Sequence, residues 1–514
     1  MILATAEQIK LIDKRASELL GISTYELIGR AGKAIACVVN EFVPFGSKIV
    51  VLTGKGNNGA DGYAAAKLLL PNYDVVAYDI FGVGQKGNDG KCYMEEFLAQ
   101  GGILKQYSDV KALKKDFSDA DCIIDAIFGI GISGDLPLLL YDVAEALRET
   151  KNAVKIAVDI PLGVISDDGR VDERFVYVAD ATVSLCLLKP CNVSYPSKAY
   201  MGKLYYDDID LEVGKCIPED QFLYHLVNEQ SIRDLLPKRG DNTNKGSFGK
   251  LLLITGSSEY PGAGRLSLEA ALRGGVGLVS YLGEKALNES FLRDFPEAIF
   301  KERKPFANLQ ESEIEDIIAL ANKHTSVLIG SGCGRSCGLL RLVQSLLKKY
   351  EGNLILDADA INVLAENGDE SLALIKGCGA KVIITPHPLE FAGICGMSVE
   401  EVNSDRIRSA REFSIKYGCT TVLKGAATIT TDGEVVYVNS SGSSALAKAG
   451  SGDVLAGFLA SLATASRSAL TSSAAAVYLH AKAADVLADE LSQFGVTPSD
   501  LPRQMAREIA KMSN

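Results

Sequence analysis

The sequence predicts an α/β protein made of two successive strand–helix series. Short β-branched runs alternate with helical patterns in each half, which implies parallel sheets covered on both faces. Each half also places a glycine-rich turn between a strand and a helix. Between the halves, across Asp207–Pro237, acidic and irregular residues replace the strand–helix beat. At about 150 residues per domain, 514 residues allow three domains, but two large α/β units fit equally well.

The first series opens with a helical stretch, Ala6–Leu20. The runs Lys48–Thr53, Tyr73–Ile80, Asp121–Ile127, Val154–Ile160 and Ala181–Leu187 then read as buried strands. A domain boundary is expected near residue 220, with domains at 1–215 and 225–514. The second series has strands at Lys250–Thr255, Ser326–Gly330, Asn353–Asp357, Lys381–Thr385 and Thr420–Leu423. Thr428–Thr431 and Val435–Asn439, joined by Asp432-Gly433, read as a hairpin. Small-residue helices fill Ala445–Leu491, and no internal repeat relates the halves.

Composition narrows the class. With 47% hydrophobic and 23% charged residues the chain is expected to fold, which excludes long disorder, collagen and coiled coil. A net charge of −12 disfavours nucleic acid and anionic membranes as partners, while leaving room for a local basic pocket. The uncharged stretches Val454–Ser466 and Ser468–Ala481 fall short of the ~20 apolar residues a membrane span needs. Charges at Glu7, Lys10, Asp13, Lys14 and Arg15 argue against a signal peptide. The eleven cysteines include no Cys-x-x-Cys, and Cys333 and Cys337 lack nearby histidines, so reduced thiols are expected rather than zinc. A cytoplasmic enzyme, assembled as a homo-oligomer, is the expectation.

The turn Gly54-Lys55-Gly56-Asn57-Asn58-Gly59-Ala60-Asp61-Gly62 follows one strand and precedes the helical run Tyr63–Leu70. Glycines there let backbone N–H groups approach an anion at a helix N-terminus. A packing turn would need only the glycines; Asn57, Asn58 and Asp61 add polar groups. The turn matches neither G-x-G-x-x-G nor a P-loop. Asp125 and Asp159 end two further strands, where ligands of doubly wound folds gather, although either could simply cap a helix.

With Asp-Ala-Ile-Phe-Gly-Ile-Gly and Val-Asp-Ile-Pro-Leu-Gly in order behind that turn, the first ~215 residues resemble the NAD(P)H-hydrate epimerase family. The resemblance implies a Rossmann-like three-layer domain. It also implies that Asn57, Asn58, Gly59, Ala60 and Asp61, with Gly129, Ile130, Gly131, Ile132, Ser133, Gly134 and Asp135, hold the hydrate, and that Asp159 touches it. Asn58 and Asp125 are implied potassium ligands. Leu162 stands where the family carries Ser or Thr in that ion site, and offers only its backbone carbonyl.

In the second half, Tyr260–Gly264 opens a helix, Gly330–Gly334 follows a strand, and so do Pro386-His387-Pro388-Leu389-Glu390 and Lys424-Gly425-Ala426-Ala427-Thr428. Sharpest is Ala449-Gly450-Ser451-Gly452-Asp453-Val454-Leu455-Ala456-Gly457, where two glycines and an aspartate open an Ala-rich helix. Consecutive N–H groups and the helix dipole would stabilise phosphoryl charge. Asp453 could accept a proton from a hydroxyl attacking phosphorus, or merely cap the helix. His387, between two prolines, is equally a ligand-facing imidazole or a satisfied loop histidine.

Together with Lys245–Gly249 and Leu356–Asn362, these segments resemble the ADP-dependent NAD(P)H-hydrate dehydratases, a ribokinase-like family, across residues 240–510. That resemblance implies that Ala263, Gly332, His387 and Asp453 contact the hydrate, while Lys424, Gly425, Ala426, Ala427, Thr428 and Gly452 surround the adenine nucleotide. Asn244 stands where many relatives have His. Both halves are then expected to repair hydrated NADH or NADPH. The first, using Asp159, interconverts the epimers; the second, with Asp453 as base, uses ADP as phosphoryl donor to eliminate the hydroxyl, with magnesium implied by the nucleotide. Two other readings stand beside this: a ribokinase-like small-molecule kinase with a Rossmann-like regulatory domain, and a non-catalytic nucleotide sensor.

Overall fold

A computed structural model describes residues 1–82, 87–131, 136–217, 224–236, 239–466 and 468–513. The chain divides into two compact units between Tyr224 and His225.

In the N-terminal unit the sheet runs, edge to edge, Ile103–Gln106, Asp74–Asp79, Lys48–Thr53, Cys122–Ala126, Val154–Val158, Ala181–Leu185 and Lys203–Asp207. Every pairing is parallel. Side chains alternate across a strand, so Ile49 and Val51 enter one core and Val50 and Leu52 the other. That two-sided burial explains why Lys48–Thr53 reads as a continuous apolar run. The layers are Rossmann-like, with strand order reversing between Lys48–Thr53 and Cys122–Ala126. Loops leaving the C-terminal ends of those two strands therefore face each other across a crevice. The helix Ala6–Leu20 is closed by a Thr5–Gln8 capping box, and Ala6 N–H donates to Asp167 Oδ1 at 2.7 Å.

In the C-terminal unit the sheet runs Val436–Asn439, Thr428–Thr431, Thr420–Leu423, Lys381–Ile384, Asn353–Leu356, Ser326–Ile329, Lys250–Ile254, Leu278–Gly283 and Ile299–Glu302. The hairpin expected around Asp432-Gly433 is antiparallel to its neighbours; the remaining pairings are parallel. Leu251 and Leu253 pack into one core with helices Pro261–Arg273, Ser451–Ala465 and Ala469–Gly495.

The pattern reading missed Ile103–Gln106, Lys203–Asp207, Leu278–Gly283 and Ile299–Glu302. Three of these are edge strands with partly exposed residues, which weakens the apolar signal. The fourth, Leu278–Gly283, follows the glycine-dense turn Gly274-Gly275-Val276-Gly277 and ends in a glycine, which masks its apolar run. The first helix after the glycine turn also begins at Asn57, six residues before the expected Tyr63. Gly56 caps it without a side chain, and the helix carries glycine at 59 and 62 because close neighbours leave no room for a Cβ there.

Candidate active sites

A cavity of about 470 Å³ opens at the crevice of the N-terminal unit. Asn57, Asn58 and Asp61 line it from the helix Asn57–Leu69, and Gly129, Ile130, Gly131 and Asp159 from the following loops. Since Ala60 N–H makes the first intrahelical bond, to Gly56 O, the amides of the cavity-lining Asn57 and Asn58 have no partner within their helix. Gly54 holds this arrangement: a Cβ there would fall 1.8 Å from the Ile127 carbonyl oxygen, so the two loops meet backbone to backbone. Gly59 and Ala60 lie behind the cavity, in the packed part of the helix. Ile132, Ser133, Gly134 and Asp135 lie outside the described residues.

Asp159 adopts φ 68° immediately after its strand, a conformation a non-glycine residue holds only when its surroundings enforce it. Lys189 supplies that enforcement. Its buried ammonium pairs with Asp159 Oδ1 and donates to Leu185 O at 2.7 Å and Ser184 Oγ at 3.3 Å. Asp159 Oδ2 and Asn58 Oδ1 converge beside Gly129. Asp13, from the helix Ala6–Leu20, also lines the cavity. Burial raises Asp61 well above the ordinary carboxylate range, with Asp159 and Asp13 adding to the effect.

Asp125 lies beneath the cavity, fully buried. It accepts Ile127 N–H at 3.1 Å on Oδ1 and Leu162 N–H at 3.0 Å on Oδ2, while the Tyr177 hydroxyl faces it. Burial pushes it up to about 6, and no cationic side chain offsets that. Leu162 turns its side chain into the apolar core. A buried carboxylate with no cationic side chain beside it is the kind of oxygen donor that suits a bound cation.

In the C-terminal unit Lys424 anchors the site. Its ammonium lies 3.2 Å from Asp357 Oδ1 and 3.9 Å from Glu390 Oε2. Burial alone would lower Lys424, but those two carboxylates outweigh it and hold it raised. Asp357 is fixed by Ser331 Oγ and Thr385 Oγ1, each donating at 2.7 Å. The Ser331 link places Gly332 and the adjoining Ala263 beside this carboxylate; a Cβ on Gly332 would lie 2.5 Å from that of Ala263. On the far side His387 caps the helix Pro388–Cys395, its Nδ1 accepting Glu390 N–H at 3.1 Å.

Gly450 caps the helix Ser451–Ala465 with φ 100°; Ser451 N–H donates to Lys448 O at 3.2 Å and Val454 N–H to Gly450 O at 3.1 Å, which leaves the amides of Gly452 and Asp453 without a backbone partner among the described residues at the helix start. Gly452 borders the Lys424 ammonium. Asp453 is raised to about 7 by burial and by Asp357, against the pull of Lys424. Arg406, buried, donates to Leu423 O at 3.1 Å and Lys424 O at 3.0 Å, shaping the Lys424–Thr428 loop, where Gly425 and Ala426 stay exposed and Ala427 takes φ 54°. Asn244 lies before the start of Lys250–Ile254, at the opposite end of the strand from the site, and caps a short turn there. Among the described residues no cluster of three or more His, Cys, Asp or Glu could hold a metal unaided. Magnesium, which keeps waters and few protein ligands, fits this site only together with nucleotide phosphates.

Lys189, Asp13, Asp357, Glu390 and Arg406 escaped the motif reading as functional positions. Lys189 had one signal, a lone charge in the run Leu187-Leu188-Lys189-Pro190; Asp13 had none beyond helix position.

Residues 251–507 match the family described as NAD(P)H-hydrate dehydratase, and residues 24–191 that described as YjeF-related protein N-terminus. The chain is 32% identical to the bifunctional NAD(P)H-hydrate repair enzyme Nnr of Thermofilum pendens, over 99% of this chain and 96% of that protein. It is 30% identical to the enzyme of that name from Escherichia coli, over 98% of this chain and 93% of the relative. A ribokinase-like superfamily protein of Enterococcus faecalis superposes with TM-score 0.50 at 23% identity, over 56% of this chain and 96% of that one, which identifies the C-terminal fold as ribokinase-like. By its length-wide identity and both domain matches, the chain belongs to the bifunctional NAD(P)H-hydrate repair enzymes.

Proposed function

We propose that the chain repairs hydrated NADH and NADPH in two steps: residues 1–215 interconvert the epimers, and residues 225–514 dehydrate one epimer with ADP as phosphoryl donor. The observation that carries this reading is Asp453, a carboxylate raised to about 7, at a glycine turn beside the Lys424 ammonium. A base and a phosphate-binding group are thereby adjacent.

The hydrate carries its hydroxyl on ring carbon 6, next to the ring nitrogen, whose lone pair can expel it and leave an iminium-like cation. In the N-terminal unit Asp159, oriented by Lys189, stabilises that cation while water returns from the other face. The amides of Asn57 and Asn58 at the helix start suit a phosphate of the dinucleotide. Asn58 and Asp125 would hold a potassium ion, which when bound supplies positive charge beneath the cavity; Leu162 adds only backbone.

In the C-terminal unit hydroxide is a poor leaving group, so phosphorylation comes first. Asp453 takes the hydroxyl proton as that oxygen attacks the terminal phosphorus of ADP and AMP leaves; the Gly452 and Asp453 amides and Lys424 receive the transferred charge. Phosphate then departs with the ring carbon 6 oxygen as the nitrogen lone pair forms the iminium bond, and loss of a proton from ring carbon 5 to solvent returns that pair to nitrogen and restores NAD(P)H. His387, Ala263 and Gly332 border the hydrate; Gly425–Thr428 and Gly452 border the nucleotide. Incubation with NADH hydrate and ADP, following recovery of the NADH absorbance band, tests the reading. A stable phosphorylated product would indicate a kinase instead, and binding without turnover a sensor.

A further inference from the structure

We propose that Asp13, on the helix Ala6–Leu20, is a catalytic proton-transfer residue of the N-terminal site, protonating the hydroxyl as it leaves ring carbon 6. The inference rests on the epimerase reading above and adds to it the acid that reading lacks. Asp13 lies outside residues 24–191, where the family match begins and ends.

Placement comes first. The inward stripe of this helix is Ile9, Ile12 and Ala16, and Asp13 falls on that stripe instead of the solvent face. The helix is pinned where it matters: Ala4 N–H donates to Leu188 O at 2.9 Å, the residue before Lys189. Asp13 consequently lines the cavity with Asp61, Asp159 and Lys189. Among the described residues no hydrogen bond or ion pair holds its carboxyl, whereas Asp159 is held by Lys189. A carboxyl on an apolar stripe, free of structural duty and facing a cavity, is costly unless chemistry uses it.

The charged groups facing this space are Lys10 and Asp13 from one helix, Lys55 and Asp61 from the glycine turn and its helix, and Asp159 and Lys189 from the strand ends, with the Cys186 thiol beside them. With Lys189 committed to Asp159, a further carboxyl here retains its proton easily. Burial, opposed by Lys189 and reinforced by Asp159, raises Asp13 to about 6.

Inversion needs a donor where oxygen leaves and an acceptor where it returns. Asp13 gives its proton to the hydroxyl; the carbon–oxygen bond breaks, water departs, and the nitrogen lone pair forms the iminium bond. A second water attacks from the other face, the π pair returns to nitrogen, and the proton released goes to Asp159. Solvent exchange resets both carboxyls. The reverse epimerisation exchanges their roles.

The test uses the full-length chain and one epimer of NADH hydrate, with interconversion measured over the uncatalysed background. Asp13→Asn should lower kcat about 10²-fold or more while leaving KM nearly unchanged. In the parent, kcat/KM should fall as pH rises through about 6, because an acid acts only while protonated, and Asp13→Asn should lose that limb. Asp13→Glu should restore part of kcat. A parent-like kcat in Asp13→Asn, or a loss confined to KM, overturns the proposal. Should Asp13→Asn fail to fold by thermal melting, Asp13→Glu decides: a displaced pH limb supports the assignment and an unmoved one overturns it. A parent without epimerisation overturns the underlying reading instead.

Discussion

Both units gather three carboxylates around one lysine, yet the two lysines differ in what they can reach. Lys189 has a side chain 1% exposed and is saturated by Asp159, Leu185 O and Ser184 Oγ. Lys424 remains 18% exposed and is shared between Asp357 and Glu390, beside the open amides of the Gly450 turn. The first, with its ammonium fully partnered, orients a carboxylate. The second can turn from its carboxylates to an incoming phosphate. In the proposed mechanism the same charge count serves a cation-like transition state in one unit and an anionic transfer in the other.

The sharpest way to break this comparison is Asp453→Asn, expected to lower dehydration by about 10²–10⁴-fold and leave epimerisation untouched. The parent rate should rise with pH through about 7, as the base ionises, and the variant should lose that inflection. Rate–pH profiles of dehydration decide it, and near-parent turnover would remove Asp453 as base.

Next is Lys189→Met. Losing the clamp should cost epimerisation about 10²-fold through misplacement of Asp159. An uncompensated buried carboxylate should also destabilise the N-terminal unit by about 3 kcal/mol. Denaturant melts and epimer interconversion, measured together, check both effects; unchanged epimerisation would leave Lys189 a purely structural residue.

Lys424→Met should raise KM for ADP roughly tenfold, the worth of one charge-assisted contact of about 1.4 kcal/mol. Because Lys424 pulls Asp453 down, its removal should also move the inflection upward from about 7. An inflection that stays in place would show that the two groups do not communicate.

The smallest effects concern the ion. Asp125→Ala should abolish the potassium dependence of epimerisation. Leu162→Ser should lower the half-saturating potassium concentration two- to fivefold, roughly 0.5–1 kcal/mol for one added donor. Potassium titrations of the three proteins decide between this site and another.

Most central strands were legible because burial on both faces writes an unbroken apolar run, as in Lys48–Thr53 and Cys122–Ala126. The edge strands Ile103–Gln106 and Ile299–Glu302 carry mixed exposure and left no such mark. The glycine turns were legible as motifs, but the helix start at Asn57 was not, since glycine density reads as loop until the close approach of Ile127 O to Gly54 is known.

Local chemistry alone determined the class of fold and the two glycine turns, because period, turn preference and capping act over a few neighbours in the chain. Only the tertiary structure decided that Lys189 clamps Asp159 from 30 residues away, that Lys424 stands between Asp357 and Glu390, and that Asp13 turns inward. Those pairings depend on which loops the strand order brings together, and on burial that strengthens charge interactions only once the fold has closed around them.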